Sequence, residues 1–320
     1  MFERILVPLD GSPRAELILP QIARILRRED SEIILLRVVD IPEAVGRVSM
    51  AILRQKELEE AQQYLHDLIL RFGEKADKIH ARVAEGWAAE TILETARTEG
   101  ATLVAMSTHG RTGLVRWAMG SVAEKVARAS DVPLLLVRSF RRNSKGDLEP
   151  LVPQELPFRR ILVPVDGSPT SMSVIGSAEK FAHLYESDIL VLHVLPPVMP
   201  PGALLPGMEA SFPITRPEPL PSDQDAITHQ AAERFRHSGL KVGRLTVEGE
   251  AATEILDLSL NRGVDLIALG THGRSGLRRW ALGSVAERVL RSTEVPLLLV
   301  RTPTKTKASS KPKAVPVKVK

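Results

Sequence analysis

GTHGRSGLRRWALGSVAERVLRSTEVPLLLVR, residues 270–301, repeats STHGRTGLVRWAMGSVAEKVARASDVPLLLVR, residues 107–138, at 23 of 32 positions. Each copy reads as a glycine-punctuated loop, a short amphipathic helix opened by Gly-Ser, and a final apolar strand. A second pair of anchors lies upstream: RILVPLDGSP at Arg4–Pro13 returns at Arg160–Pro169 with Leu9 replaced by Val165. The offsets are 163 and 156, so the second copy holds seven additional residues between its anchors. Self-similarity on this scale marks a duplicated domain.

Around the anchors each copy alternates short apolar runs with amphipathic stretches. In the first, strands are expected at Ile5–Leu9, Ile33–Val39, Lys78–Ala84, Thr102–Met106 and Pro133–Val137. Helices are expected at Arg14–Arg28, Met50–Phe72 (closed by Gly73), Ala88–Thr98 and Ser121–Ala129, from apolar residues at helical spacing. The second copy places strands at Ile161–Val165, Asp188–Val194, Lys241–Val247, Leu266–Leu269 and Pro296–Val300. Strands alternating with helices call for a parallel α/β sheet with helices on both faces, and runs such as LLLV suit strands buried on both sides. The units are therefore domain 1 at 1–141, a linker at 142–157, domain 2 at 158–303 and a tail at 304–320. The linker shows charge, prolines and little pattern. Residues 196–221 hold nine prolines in 26 positions, which bars a regular helix or central strand there.

Composition narrows the function. The formal net charge of +4 arises in the tail, whose six lysines face no acid; the rest has 37 basic against 39 acidic residues. The body is thus near neutral, which argues against nucleic acid, and the tail reads as disordered. No apolar run approaches the length of a membrane span. Strand-like sequence from Ile5 leaves no room for a signal peptide, and there are no cysteines. A cytoplasmic location is expected.

Gly270, ending a buried strand, and Gly273 and Gly283-Ser284 beyond it suit an anion site. Glycine reaches positive φ and allows close approach, and the first amides of a helix attract phosphate oxygens. The alternative is an ordinary turn followed by an N-cap. Asp166 stands just past the first strand of its copy, where a doubly wound sheet binds ligands, and its carboxylate suits ribose hydroxyls; a plain turn residue is the other reading.

The combination of PVDGS after a short strand, G-x2-G-x9-G-S and a closing VPLLLVR resembles the universal stress protein (UspA) family in both copies. That resemblance implies two Rossmann-like doubly wound domains, each a five-stranded parallel sheet of order 3-2-1-4-5. It also implies an adenine-nucleotide binding regulator of stress response, with ATP (with or without Mg2+) or another adenine nucleotide as ligand. By position, Pro164, Asp166 and the Val194 backbone would frame adenine and ribose. Gly270, Gly273, Gly283, Ser284 and Val285 would hold ribose and phosphates, with Arg274 beside them. The first copy keeps Pro8, Asp10, Val38, Gly110, Gly120, Ser121 and Val122 but has Ser107 where the second has Gly270. A serine at a position needing positive φ or close approach costs about 1 kcal/mol or more, so the second copy is the favoured nucleotide site. The alternatives are a nucleotide-free scaffold or dimerisation module and a slow ATPase.

No catalytic residue and no metal site is assigned. There is no Walker A sequence and no G-x-G-x-x-G. His109 and His272 read as loop-shaping or phosphate-neighbouring, Trp117 and Trp280 as packing anchors, and Arg111 with Arg274 as phosphate neighbours. Trp87 has Glu250 at the twin position and reads as local packing. Final strands this apolar need partners, so the two copies are expected to pair through them as an internal pseudo-dimer; a homodimer is a further option.

Overall fold

The computed structural model describes residues 2–40, 47–109, 119–142, 145, 148–152, 154–156, 158–197, 223–271 and 282–301. The first copy supplies β1 (Arg4–Leu9), β2 (Glu32–Val39), β3 (Ile79–Glu85), β4 (Leu103–Ser107) and β5 (Leu134–Val137). They pair in parallel in the order β3-β2-β1-β4-β5. The second supplies β8 (Arg160–Pro164), β9 (Asp188–Leu195), β10 (Val242–Glu248), β11 (Leu266–Gly270) and β12 (Leu297–Val300). Their order is β10-β9-β8-β11-β12, again all parallel. Each copy thus has the 3-2-1-4-5 order.

The two sheets are one. Leu134, Leu135 and Leu136 pair antiparallel with Leu299, Leu298 and Leu297, which makes a ten-stranded sheet. None of these six leucines is more than 2% exposed, so the apolar edge that each copy alone would present is covered by the other. Because the junction is antiparallel, the carboxyl ends of the first copy's strands point opposite to those of the second.

Alternation along the strands sorts side chains into two layers. Ile5, Val7 and Leu9 face α1 (Leu19–Arg28) and α2 (Arg47–Leu70), through Ile22, Ile25, Leu65 and Leu68. Leu6 faces the opposite layer, where α3 (Ala88–Thr98) and α4 (Ser121–Ala129) contribute Ile92 and Val126. The second copy does the same with α5 (Pro169–Tyr185) and α6 (Asp223–His237) on one side and α7 (Ala251–Asn261) and α8 (Ser284–Ser292) on the other. Each layer contains residues of both copies.

Helices also meet across the junction. Arg128 of α4 bonds Glu287 of α8 at 2.8 Å, and Arg291 of α8 bonds Glu124 of α4 at 2.9 Å, so equivalent residues exchange partners. On the other layer the Tyr185 hydroxyl donates to Gln21 Oε1 at 2.9 Å, and the Arg24 guanidinium lies 4.6 Å from the Tyr185 ring centre. Glu155 accepts from Arg24 and Arg27, and Gln154 accepts from Gln21, which pins the connection between the copies.

Three local readings change. The stretch Arg14–Arg28 begins with a 3-10 turn, Ala15–Ile18, before α1. The long second helix starts at Arg47, and Gly73, at φ +56°, leads into a further 3-10 turn. The 142–157 connection is not patternless: β6 (Phe140–Arg142) and β7 (Leu148–Pro150) form an antiparallel ribbon. Residues 198–221 of the proline-rich insert and the tail lie outside the described residues. Among the described residues no helix is long and apolar enough to cross a membrane.

Candidate functional site

A proline opens the crevice in each copy. Thr102 N–H donates to the Arg4 carbonyl, so even-numbered residues of β1 turn their backbone toward β4. Pro8, which has no N–H, falls on that side and ends the ladder. Pairing of β1 with β4 stops at Leu6, while pairing with β2 runs to Leu9. The sheet splits there, at the point where the chain's crossovers reverse and ligands settle beyond the strand ends. Pro164 repeats the device: β8 and β11 pair only through Ile161 and Leu162.

In the first copy the split leads into a cavity of about 540 Å³ whose lining includes Pro8, Asp10, Val38, Ser107, Ser121 and Val122. Met106 and Ile92 make its apolar wall; Tyr64, Glu57 and Glu60 of α2 line the opposite side. Gly120 is the N-cap of α4 and Ser121 its first residue, with no side-chain cap. The first amides of α4 therefore point out of the helix at the cavity, carrying the positive end of its dipole. Asp10 holds the turn below: its Oδ1 accepts from the Ser12 N–H at 3.0 Å and the Ser12 hydroxyl at 2.6 Å, with Gly11 at φ +80°. The Tyr64 hydroxyl donates to Glu16 at 3.2 Å, and burial together with that carboxylate pushes its phenol pKa well above the ordinary range.

The glycines act differently from the sequence expectation. Neither Gly120 nor Gly270 has a positive φ. A Cβ on Gly120 would lie 3.0 Å from the Thr108 carbonyl oxygen, to which the Gly120 N–H donates at 2.9 Å. A Cβ on Gly270 would lie 3.0 Å from the Thr170 carbonyl oxygen and 3.3 Å from Ser171 Cα, both in the first turn of α5. In this structure Gly270 is bare because a helix leans on it. Ser107 is accommodated in the first copy, where the chain after β1 runs through the 3-10 turn, and its hydroxyl donates to the His109 carbonyl at 2.8 Å.

The second copy places Pro164, Asp166, Val194, Gly283, Ser284 and Val285 at the equivalent strand and helix ends. Asp166 Oδ1 accepts from the Ser168 N–H at 2.9 Å, and Gly283 caps α8 as Gly120 caps α4. Ile227 stands where the first copy has Tyr64, and a Cβ on Gly167 would meet its Cδ1 at 2.9 Å. Gly110, Gly273 and Arg274 lie outside the described residues, as do His272, Arg111, Trp117 and Trp280. His109 shapes its loop: its N–H donates to Ser139 Oγ at 3.2 Å, and its ring stands edge-on to Phe140.

Residues the sequence did not single out include Tyr64, Glu57 and Glu60, whose helical spacing put them on one face of α2 but not over the crevice. Trp87 is not packed as expected: it is 72% exposed and directly precedes Ala88, which lines the cavity.

The model of the universal stress protein family matches residues 1–138 and 157–301. Universal stress protein MJ0531 of Methanocaldococcus jannaschii is 31% identical over 148 residues, 46% of this chain and 85% of its own length. A universal stress protein of Mycolicibacterium smegmatis is 24% identical over 314 residues, 93% of this chain and 96% of that one. Among solved structures, a universal stress protein from Archaeoglobus fulgidus gives a TM-score of 0.65 at 19% identity, covering 93% of this chain and 96% of its own. At that identity the likeness is one of fold.

Proposed function

The chain belongs to the universal stress protein family, with one domain of that family in each half, and we propose that it is an ATP-binding regulator. The N-terminal crevice is a site in this reading, although the sequence favours the second copy. One observation carries this: a single cavity brings Pro8, Asp10, Val38, Ser121 and Val122 together, at a volume within the roughly 300–1,000 Å³ of small-molecule sites. The base would lie between Pro8 and Val38 against Met106 and Ile92. Ribose hydroxyls would meet the Asp10 carboxylate, and phosphates the exposed amides of α4. Any Mg2+ would enter with the phosphates. No catalytic residue is assigned, and occupancy rather than turnover is the signal. A cytoplasmic setting suits a chain without cysteine.

A second reading concerns the C-terminal half. Gly270 is held by α5, and Ile227 stands over Gly167; both favour that half as a scaffold without nucleotide. Isothermal titration of ATP into the full chain separates the cases, with one equivalent expected for the scaffold reading and two for paired sites. Ser121→Glu places a negative charge where phosphates would sit while favouring the helix terminus. It should weaken ATP at least tenfold, and Ser284→Glu should do so only if the second crevice is occupied. Wild-type protein that binds no ATP would overturn the proposal.

A further inference from the structure

The start of α4, where the phosphates of a bound nucleotide would lie, is braced by the connection between the copies. Gly120, the N-cap of α4, donates its N–H to the Thr108 carbonyl at 2.9 Å, and a Cβ added to it would stand 3.5 Å from His109 Cα. Thr108 and His109 both line the N-terminal cavity, so they are at once its wall and the seat of the helix. What fixes them comes from beyond β5. The Ser139 N–H donates to the Thr108 hydroxyl at 3.2 Å, and the Ser139 hydroxyl accepts from the His109 N–H at 3.2 Å. The next residue, Phe140, sets its ring edge-on to the His109 imidazole with centres 5.4 Å apart, and the Arg14 guanidinium lies 5.1 Å from the centre of the same ring.

Phe140 also opens β6 and pairs with Pro150 of β7. The Leu151 N–H then donates to the Ser139 carbonyl at 3.0 Å, and Gln154 and Glu155 are held by Gln21, Arg24 and Arg27 of α1. The connection is thus anchored at one end on the crevice wall and at the other on α1, where Gln21 meets Tyr185 of the second copy. The sequence of the second copy keeps the histidine, as His272, but has Pro303 at the twin of Phe140 and Thr170 at the twin of Arg14. That copy builds the same strand order without the ring, so the fold does not require it. The ring serves the one crevice it braces.

We infer that Phe140 is a positioning residue of the N-terminal crevice: acting through His109, its ring holds the start of α4 where the first amides receive phosphate, so the connection between the copies sets the phosphate affinity of this crevice. This rests on the nucleotide reading above. Such coupling is reciprocal. Phosphate held at α4 steadies the β6–β7 ribbon, which brings the effect of occupancy into the segment that joins the two halves.

The test uses the full chain and isothermal titration of ATP and of adenosine into wild type, Phe140→Leu and Phe140→Tyr. Leucine keeps an apolar side chain but removes the aromatic contacts, and should weaken ATP by about fivefold. Phe140→Tyr, which retains the ring, should bind ATP as wild type does. Adenosine, which has no phosphate, should bind all three alike, and its retained affinity in Phe140→Leu excludes misfolding as the cause. Amide hydrogen exchange gives the reciprocal readout: ATP should slow exchange at residues 140–142 and 148–150 of the wild type. Equal ATP affinity in wild type and Phe140→Leu, or an equal loss for ATP and adenosine, would overturn the inference while leaving the nucleotide site standing. An absence of ATP binding in the wild type would remove the nucleotide reading, and this inference with it.

Discussion

Gly270→Ser gives the second copy the residue that the first already has, and its consequence can be worked from the packing. The backbone there is not left-handed, so no conformational strain arises. The new Cβ meets the Thr170 carbonyl oxygen at 3.0 Å and the Thr170 carbonyl carbon and Ser171 Cα at 3.3 Å. These are backbone atoms of the first turn of α5, which cannot swing aside as a side chain would. Overpacking of this kind costs about 1–3 kcal/mol. Replacing glycine also restricts the unfolded chain, which offsets about 0.4–1 kcal/mol. The net expectation is a loss of about 1–2 kcal/mol, read by thermal melting as a fall of roughly 2–5 °C. The variant should also loosen the start of α5, visible as faster amide hydrogen exchange at residues 171–173. A melting temperature equal to or above wild type, with ATP stoichiometry reduced, would refute the packing account and return Gly270 to the ligand.

Two further predictions concern the junction. Tyr185→Phe removes the hydroxyl that donates to Gln21 Oε1, a fully buried acceptor, and should cost about 1–3 kcal/mol; unchanged thermal or urea stability would show that Gln21 finds another donor. The hydrogen bond from Arg128 holds the Glu287 carboxyl below its ordinary pKa despite the cost of burial. Its contribution is therefore fully present above the unfolded carboxylate pKa of about 4.3 and is lost as pH falls through the depressed native value. Glu287→Gln should lower stability near neutral pH by no more than about 1 kcal/mol, because the pair is partly exposed. The gap between variant and wild type should close on acidification and narrow in high salt; a gap that persists at pH 2 would contradict this.

The duplicated α/β alternation and the pairing of the copies were legible from period and repetition, since LLLV occurs twice at the end of a βα series and an apolar edge must be covered, whereas the strand order came from the family resemblance. The break after Leu6 was also in the sequence, as Pro8 on the β4 side, but its effect needs the neighbouring strand to be known. The packing around Gly270 could not be foreseen, since the nearest atom to an added side chain is the carbonyl oxygen of Thr170, a hundred residues earlier. The 3-10 turn at Ala15–Ile18 was hidden by apolar spacing that suits either helix type. Trp87 was read as packing because a tryptophan usually is, yet it is 72% exposed. The α2 face carrying Glu57, Glu60 and Tyr64 was visible as a face, yet what it overlooks is set by the sheet.

The seam between β5 and β12 joins two segments of one polypeptide. Where identical subunits associate about a two-fold axis, every substitution is made twice and both sides of the contact change together. Here each change is made once. Arg128, Glu124, Arg291 and Glu287 still obey the ancestral symmetry, whereas Ser107 against Gly270 and Trp87 against Glu250 have escaped it. Covalent fusion also makes the association immune to dilution, so the halves are free to specialise without risk of separating.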